Sequence, residues 1–70
     1  MASEKHLMIT GISNVSWNDA VVQAVQEASK SIDYLSSVKI LNQWAKIDGN
    51  RLVEYYVDID LTFAIDRDRG

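Results

Sequence analysis

The chain has 70 residues, no cysteine, and 10 acidic against 7 basic side chains, which gives a net charge of −3 and a pI near 4.8. Disulfides and thiolate metal sites are therefore excluded, and the scattered cations argue against nucleic-acid binding. No run approaches the roughly 18 apolar residues of a membrane span, no apolar signal segment is expected, and the lack of cysteine fits a cytoplasmic protein.

The first predicted element is a strand over residues 5–12, in which Leu7 and Ile9 face the core. Gly11 and the following Ser13-Asn14 pair end this strand, since both are turn-forming signals. We expect one domain over residues 1–70, which buries too little surface to be stable alone without disulfides or a metal. Oligomerisation is the remaining source of stability.

A helix is predicted over residues 17–31, with Ser16 as its N-cap accepting a hydrogen bond from the amide of Asp19. Asp19 also occupies the capping-box position and complements the positive end of the helix dipole. The apolar stripe of this helix consists mainly of small residues, which allow a helix to lie close to a sheet. Its members are Ala20, Ala24 and Ala28, flanked by Val21, Val25 and Ile32.

A second strand is predicted over residues 36–47, and its apolar positions change parity midway. Val38 and Ile40 are even-numbered, whereas the apolar positions after them are mostly odd. A β-bulge produces such a shift of one residue. The bulge would place four polar or aromatic side chains on one face, namely Lys39, Asn42, Trp44 and Lys46.

A tight hairpin connection at residues 48–50 leads into a third strand over residues 53–65, whose apolar residues alternate strictly. At about 3.3 Å per residue this strand reaches roughly 43 Å. A compact chain of this size has a diameter of only about 28 Å. The strand therefore exceeds the body of its own chain, which predicts a subunit of an assembly. Residues 66–70 are polar and are expected to form a frayed tail.

The predicted order is β-α-β-β, with the last two strands forming a hairpin. This order favours an α+β fold in which a three-stranded antiparallel sheet wraps around one helix.

These elements resemble the dodecin family over nearly the whole chain. The resemblance is carried by Gly11, the helix start at residues 16–20, the small-residue helix at residues 24–31, Leu35, and the strand at residues 57–63 ending in Phe63. It implies a βαββ subunit, twelve copies in a hollow shell, and flavins (FMN, FAD or riboflavin) bound between subunits without catalysis. One branch of the family, which lacks the stacking Trp, is described as calcium-binding.

The chain departs from the flavin-binding pattern of this family at three positions. The family's stacking Trp corresponds to Ser37, its flavin-bonding Gln to Tyr56, and an Arg of its bacterial branch to Trp44. Loss of an aromatic platform costs on the order of 1–3 kcal/mol per ring. The chain therefore resembles the Trp-less branch as much as the flavin branch.

Trp44 and Tyr56 form a candidate replacement platform for a flat ligand. A hairpin closed by residues 48–50 would pair Trp44 with Glu54 and Asn42 with Tyr56, all on the face away from the helix. Ser37 and Lys39 complete this candidate flavin site, with Lys39 as a phosphate contact. The alternative is an intersubunit contact, because Trp and Tyr are enriched at interfaces.

Asp58 and Asp60 point the same way on the third strand, about 7 Å apart. Copies of this pair around a symmetry axis, together with Glu54, would offer hard oxygen ligands to Ca²⁺ or Mg²⁺. The alternative is a solvated polar face paired with cations of neighbouring subunits. His6, the single histidine, is either a surface residue or a metal ligand by symmetry.

The resemblance to the dodecins therefore implies a homododecameric, non-enzymatic shell. Its first expected ligand is a flavin at subunit interfaces, and the alternative is a calcium-binding or purely structural cage.

Overall fold

The computed structural model describes residues 2–66. The elements follow in the predicted order: β1 (Ala2–Ser13), α1 (Trp17–Ser29), β2 (Leu35–Asp48) and β3 (Arg51–Asp66). All three strands extend beyond their predicted bounds by one to three residues at each end. The tail predicted to fray begins at Asp66, the last residue of β3, and its remaining residues 67–70 lie outside the described residues.

The three strands form one antiparallel sheet in the order β1-β3-β2, so β3 is central. The helix packs on β1 and β3, where its three alanines meet three side chains of β3. This buried core contains Ala20, Ala24, Ala28, Val57, Ile59 and Leu61. The predicted small-residue stripe and the predicted α+β fold are both confirmed.

The N-terminus of α1 is held by two serines. Ser16 is the N-cap, and its Oγ accepts from the Asp19 amide at 2.9 Å, as predicted. Ser13, which is 5% exposed, donates from Oγ to the Asp19 carboxylate at 2.6 Å and accepts from the Val15 amide at 2.9 Å. The Asp19 carboxylate therefore anchors the end of β1 to the helix.

The helix ends two residues earlier than predicted, at Ser29 instead of residue 31. The amides of Lys30 and Ser31 bond to the carbonyls of Glu27 and Ala28, three residues back. Such bonds tighten the last turn and satisfy carbonyls that an α-helix leaves open.

The predicted bulge in β2 is confirmed, because the register with β3 shifts between Ile40 and Asn42 and leaves Leu41 as the extra residue. The predicted hairpin pairing was wrong by two residues: Trp44 lies opposite Tyr56 and Asn42 opposite Asp58.

Two features of the hairpin cause this difference. Its loop contains only Gly49 and Asn50, both with positive φ, as in the turns that suit the twist of a hairpin. A second irregularity at Lys46/Ile47 inserts Val53 into β3, because Ile47 pairs with Leu52 and Lys46 with Glu54. Each feature moves the pairing by one residue.

The molecule is elongated, with principal extents of 56 × 19 × 12 Å and a radius of gyration of 14.7 Å. A compact chain of this length would have a radius near 11 Å. Most of β2 is exposed, including apolar residues such as Val38 and Ile40 beside the buried Leu61 and Ile59. Within residues 2–66, no helix has both the length and the hydrophobicity needed to cross a bilayer.

Candidate functional site

The sheet face that points away from α1, here called the open face, carries most of the polar and aromatic side chains of the three strands. Alternate residues share a face, and directly opposed residues lie side by side on it. The register therefore assigns to the open face His6, Met8 and Thr10 of β1, Lys39, Asn42, Trp44 and Lys46 of β2, and Glu54, Tyr56, Asp58, Asp60 and Thr62 of β3. Lys39 and Asn42 share this face across the bulge, as predicted.

Trp44 and Tyr56 stack on each other on the open face and form what we call the aromatic platform. Their ring centroids are 5.2 Å apart and their planes differ by 2°. Trp44 is 44% exposed. Since Tyr56 covers one side of the indole, a flat ligand stacking on Trp44 has the opposite side of the ring.

Polar groups border the aromatic platform at the hairpin end. The Tyr56 hydroxyl donates to Glu54 Oε1 at 2.7 Å. This hydrogen bond raises the pKa of Tyr56, and desolvation and the negative charge of Glu54 act in the same direction. Lys46 pairs with Glu54 across the strands and adds a cation next to the platform.

The five residues of the predicted flavin site do not form one cluster within a single chain. Asn42, Trp44 and Tyr56 are neighbours on the open face. Lys39 lies opposite Asp60 and Ser37 opposite Thr62. These positions are about 13 and 20 Å along β3 from Tyr56. Ser37 and Lys39 are therefore separated from the aromatic platform along the sheet of one chain.

Two carboxylates occupy the middle of the open face. Asp58 Oδ1 accepts from Thr10 Oγ1 at 2.7 Å, and Asp58 Oδ2 accepts from Asn42 Nδ2 at 3.5 Å. Asp60 Oδ2 lies 3.0 Å from His6 Nδ1, whereas Asp60 Oδ1 is buried and has no hydrogen-bond partner among residues 2–66. Asp58 is thus held by both neighbouring strands, and Asp60 keeps one oxygen without a donor.

The described part of the chain contains no group of three or more His, Cys, Asp or Glu side chains able to hold a metal ion. Glu54, the third predicted ligand, bonds to Tyr56 and is four residues from Asp58, or about 13 Å along β3. Ca²⁺ takes six to eight oxygen ligands. Asp58 and Asp60 supply hard oxygens of the right type, yet one chain provides only part of such a site.

Trp17 contributes to the platform from the other side of the sheet, which the sequence did not reveal. Its indole Nε1 donates to the backbone carbonyl of Trp44 at 2.9 Å. Its ring meets that of Tyr55 edge to face, with centroids 5.0 Å apart and planes at 79°. A Trp at the first helical turn signals a packing role, but its partners depend on a register that the sequence did not predict.

Comparisons with known proteins agree with this architecture over nearly the whole described chain. The sequence model of the Dodecin family matches residues 4–66. Calcium dodecin of Mycobacterium tuberculosis is 29% identical over 65 residues, which cover 93% of this chain and 92% of that protein.

Solved structures show the same fold. The crystal structure of calcium dodecin from Mycobacterium tuberculosis, a calcium-chelating antigen, aligns with a TM-score of 0.79 and 25% identity over 97% of each chain. A dodecin from Streptomyces davaonensis aligns with a TM-score of 0.87 and 15% identity, covering 94% of this chain and 97% of that one. The match of the family model, which spans nearly the entire chain, shows that this protein belongs to the dodecin family.

Proposed function

We propose that this protein is the subunit of a non-enzymatic homododecameric shell that binds and stores a flavin-class ligand (riboflavin, FMN or FAD). The ligand would stack on the outer side of Trp44, where subunits meet. The family relationship supports binding of a small ligand by a protein of this type.

The observation that carries this proposal is the parallel stack of Trp44 and Tyr56. A large exposed indole supported by a second ring is a surface on which a planar heteroaromatic ring gains stacking energy, about 1–3 kcal/mol per ring. The platform is complete within one chain, whereas the carboxylates form only part of a metal site. For this reason the flavin class ranks ahead of calcium.

The proposed position differs from the one expected from the family resemblance. That resemblance puts the stacking residue at Ser37, which has no ring. Ser37 lies opposite Thr62, which is about 20 Å along β3 from Tyr56. Asn42 and Lys46 flank the platform on β2. The Asn42 amide would bond to polar edges of the ring system, and Lys46 would face the phosphate of FMN.

Exposed apolar side chains support assembly. Val38 is 42% exposed and Ile40 50% exposed, although each lies beside a fully buried residue of β3. Leu41 and Ile47 are exposed as well. Contiguous exposed apolar surface on a small domain is typical of protein interfaces. Copies of the chain would cover this part of β2.

Titration of riboflavin with the purified protein tests the proposal, with the flavin's own fluorescence as the signal. We expect quenching that saturates, and at least tenfold weaker binding for Trp44→Ala, because the stacking surface is removed. Trp17 is still present in this variant, so weaker binding would reflect the loss of Trp44 and not the absence of any tryptophan. Sedimentation should show dodecamers for both proteins. Unchanged riboflavin fluorescence with the assembled wild-type protein would refute flavin binding.

A second candidate ligand is Ca²⁺, which the buried and unpartnered Asp60 Oδ1 favours. The relative named calcium dodecin supports the same ligand. In an assembly, Asp58 and Asp60 from adjoining copies would add up to the number of oxygens that Ca²⁺ takes.

Thermal unfolding with and without millimolar Ca²⁺ tests this second candidate. A cation that binds only the folded assembly raises the unfolding temperature by mass action. We expect the increase to disappear in Asp60→Asn and to persist in Glu4→Gln, a control in which an exposed carboxylate of β1 is replaced. An unfolding temperature that does not respond to Ca²⁺ would exclude this ligand.

A further inference from the structure

Trp17 links both strands that carry the aromatic platform, although it lies on the opposite side of the sheet. On β2 it donates a hydrogen bond to the carbonyl of Trp44, one of the two platform residues. On β3 it packs edge to face against Tyr55, the residue directly before the second platform residue, Tyr56. Consecutive residues of a strand point to opposite faces, so Tyr55 and Tyr56 share a backbone but not a side of the sheet.

The strand that Trp17 holds, β2, pairs with β3 alone in the sheet. β2 is an edge strand and is exposed along most of its length, and α1 packs on β1 and β3. An edge strand leaves backbone groups without ladder partners. The indole N–H donates to a carbonyl of this edge strand, at the residue whose side chain stacks on Tyr56.

We propose that Trp17 is a positioning residue for ligand binding: it fixes the twist between β2 and β3 at residues 44 and 56 and so keeps the platform rings parallel. It does not contact the ligand. This inference rests on the proposed stacking of a planar ligand on Trp44. The orienting effect of Trp17 on Trp44 and Tyr56 does not depend on which ligand binds, and it can be measured in the protein without a ligand.

The anchoring of Trp17 at the helix start gives this role a rigid base. Trp17 is the first residue of α1, directly after the N-cap Ser16. The neighbouring Asp19 carboxylate is bonded by Ser13, which ties the helix start to the end of β1. Trp17 therefore connects the hairpin end of β2 to the anchored start of the helix.

Trp17→Phe tests the proposal, because Phe keeps an aromatic ring against Tyr55 and removes the N–H donor. The first readout is the indole NMR signal of Trp44, which the ring current of Tyr56 displaces. We expect this signal to move towards the position of an unstacked indole. The second readout is riboflavin affinity, which should fall about fivefold, the equivalent of one ordinary hydrogen bond. Tyr55→Phe, which keeps both contacts of Trp17, should change neither readout.

The possible outcomes distinguish a failure of the positioning role of Trp17 from a failure of the flavin assignment. A Trp44 signal and an affinity that are both unchanged in assembled Trp17→Phe would overturn the proposal. If wild-type protein does not bind riboflavin, the flavin assignment fails, and the Trp44 signal alone decides whether Trp17 orients the platform.

A measurement on the unmodified protein covers the case in which Trp17→Phe does not assemble. The Trp17 indole N–H should exchange with solvent slowly, because it is bonded to the Trp44 carbonyl. Exchange as fast as that of a free indole would show that the bond is absent and would likewise overturn the proposal.

Discussion

Gly11 of β1 lies directly against the backbone of Ala20 in α1. A Cβ atom at Gly11 would come within 2.5 Å of the Ala20 carbonyl oxygen and 3.1 Å of the Ala24 Cβ. The nearest obstacle is backbone, which cannot move aside as the end of a flexible side chain does. The absence of a side chain at Gly11 therefore allows the helix to approach β1 this closely.

We predict that Gly11→Ala destabilises the protein by about 1–3 kcal/mol, the usual cost of inserting a methyl group into a packed interior. Urea unfolding followed by far-ultraviolet circular dichroism measures this change. Lys5→Ala, an exposed position on the same strand, should change stability by less than about 0.5 kcal/mol. Equal stability of Gly11→Ala and wild type would contradict the close packing of helix and sheet.

Ser13→Ala removes the link between β1 and the helix start. It leaves the Asp19 carboxylate without the Ser13 donor and the Val15 amide without its acceptor. We expect a loss of about 1–3 kcal/mol, because Ser13 is buried and three partners, including the Ser16 amide at 3.4 Å, lose a hydrogen bond. Ser29→Ala is a matched control, since its hydroxyl bonds to the Gln26 carbonyl on an exposed surface. If both variants unfold at the same urea concentration, the hydrogen bonds of Ser13 do not contribute to the free energy of unfolding.

The Tyr56–Glu54 hydrogen bond predicts a specific alkaline titration. The neutral hydroxyl is the donor, so the pKa of Tyr56 lies above the ordinary value of 10.0. A raised folded-state pKa contributes stability that is fully present below the unfolded-state pKa and is lost as pH rises through the folded-state pKa. Ultraviolet absorbance should therefore show that Tyr56 ionises at a higher pH than an unperturbed tyrosine.

Glu54→Gln serves as the comparison for this titration. It removes the carboxylate charge and the charge-assisted acceptor, so the pKa of Tyr56 should fall towards 10.0. Tyr56→Phe identifies which part of the absorbance change belongs to this residue. A titration curve that is identical in wild type and Glu54→Gln would show that the two side chains do not interact.

Ile40→Ser tests whether exposed apolar surface on β2 drives assembly. Ile40 is 50% exposed beside the fully buried Ile59. Burial of such a side chain by another subunit contributes about 1–2 kcal/mol per copy. We expect a smaller assembled fraction at micromolar concentration in sedimentation, with the secondary structure retained. Val22→Ser is the control on α1, and an equal effect of both variants would argue against a special role for β2.

The sequence predicted the features that depend on local spacing. The alanine stripe of α1, the Ser16 cap and the bulge near Leu41 each follow from residues close together in the chain, and the structure confirms them. The pairing of Trp44 was not predicted correctly, because it depends on a two-residue loop and on Val53 as an inserted residue. Each of these shifts the register by one position, and neither changes the apolar alternation that sequence reasoning uses.

The candidate site was predicted in part for the same reason. Trp44, Asn42 and Tyr56 share a face in either register, so their grouping survived the error in pairing. The bond from Trp17 to Trp44 spans 27 residues and joins different elements, and no local pattern encodes it. The His6–Asp60 contact is similarly non-local.

The methyl groups of Ala20, Ala24 and Ala28 fill the space between α1 and β3. They determine how far the helix axis stands above the sheet, and this height sets whether the Trp17 indole reaches the backbone of residue 44. A larger side chain at Ala20, within one turn of Trp17, would lift this end of the helix and withdraw the indole from its acceptor. Substitutions remote from any ligand would thereby alter the geometry of the rings on the other side of the sheet.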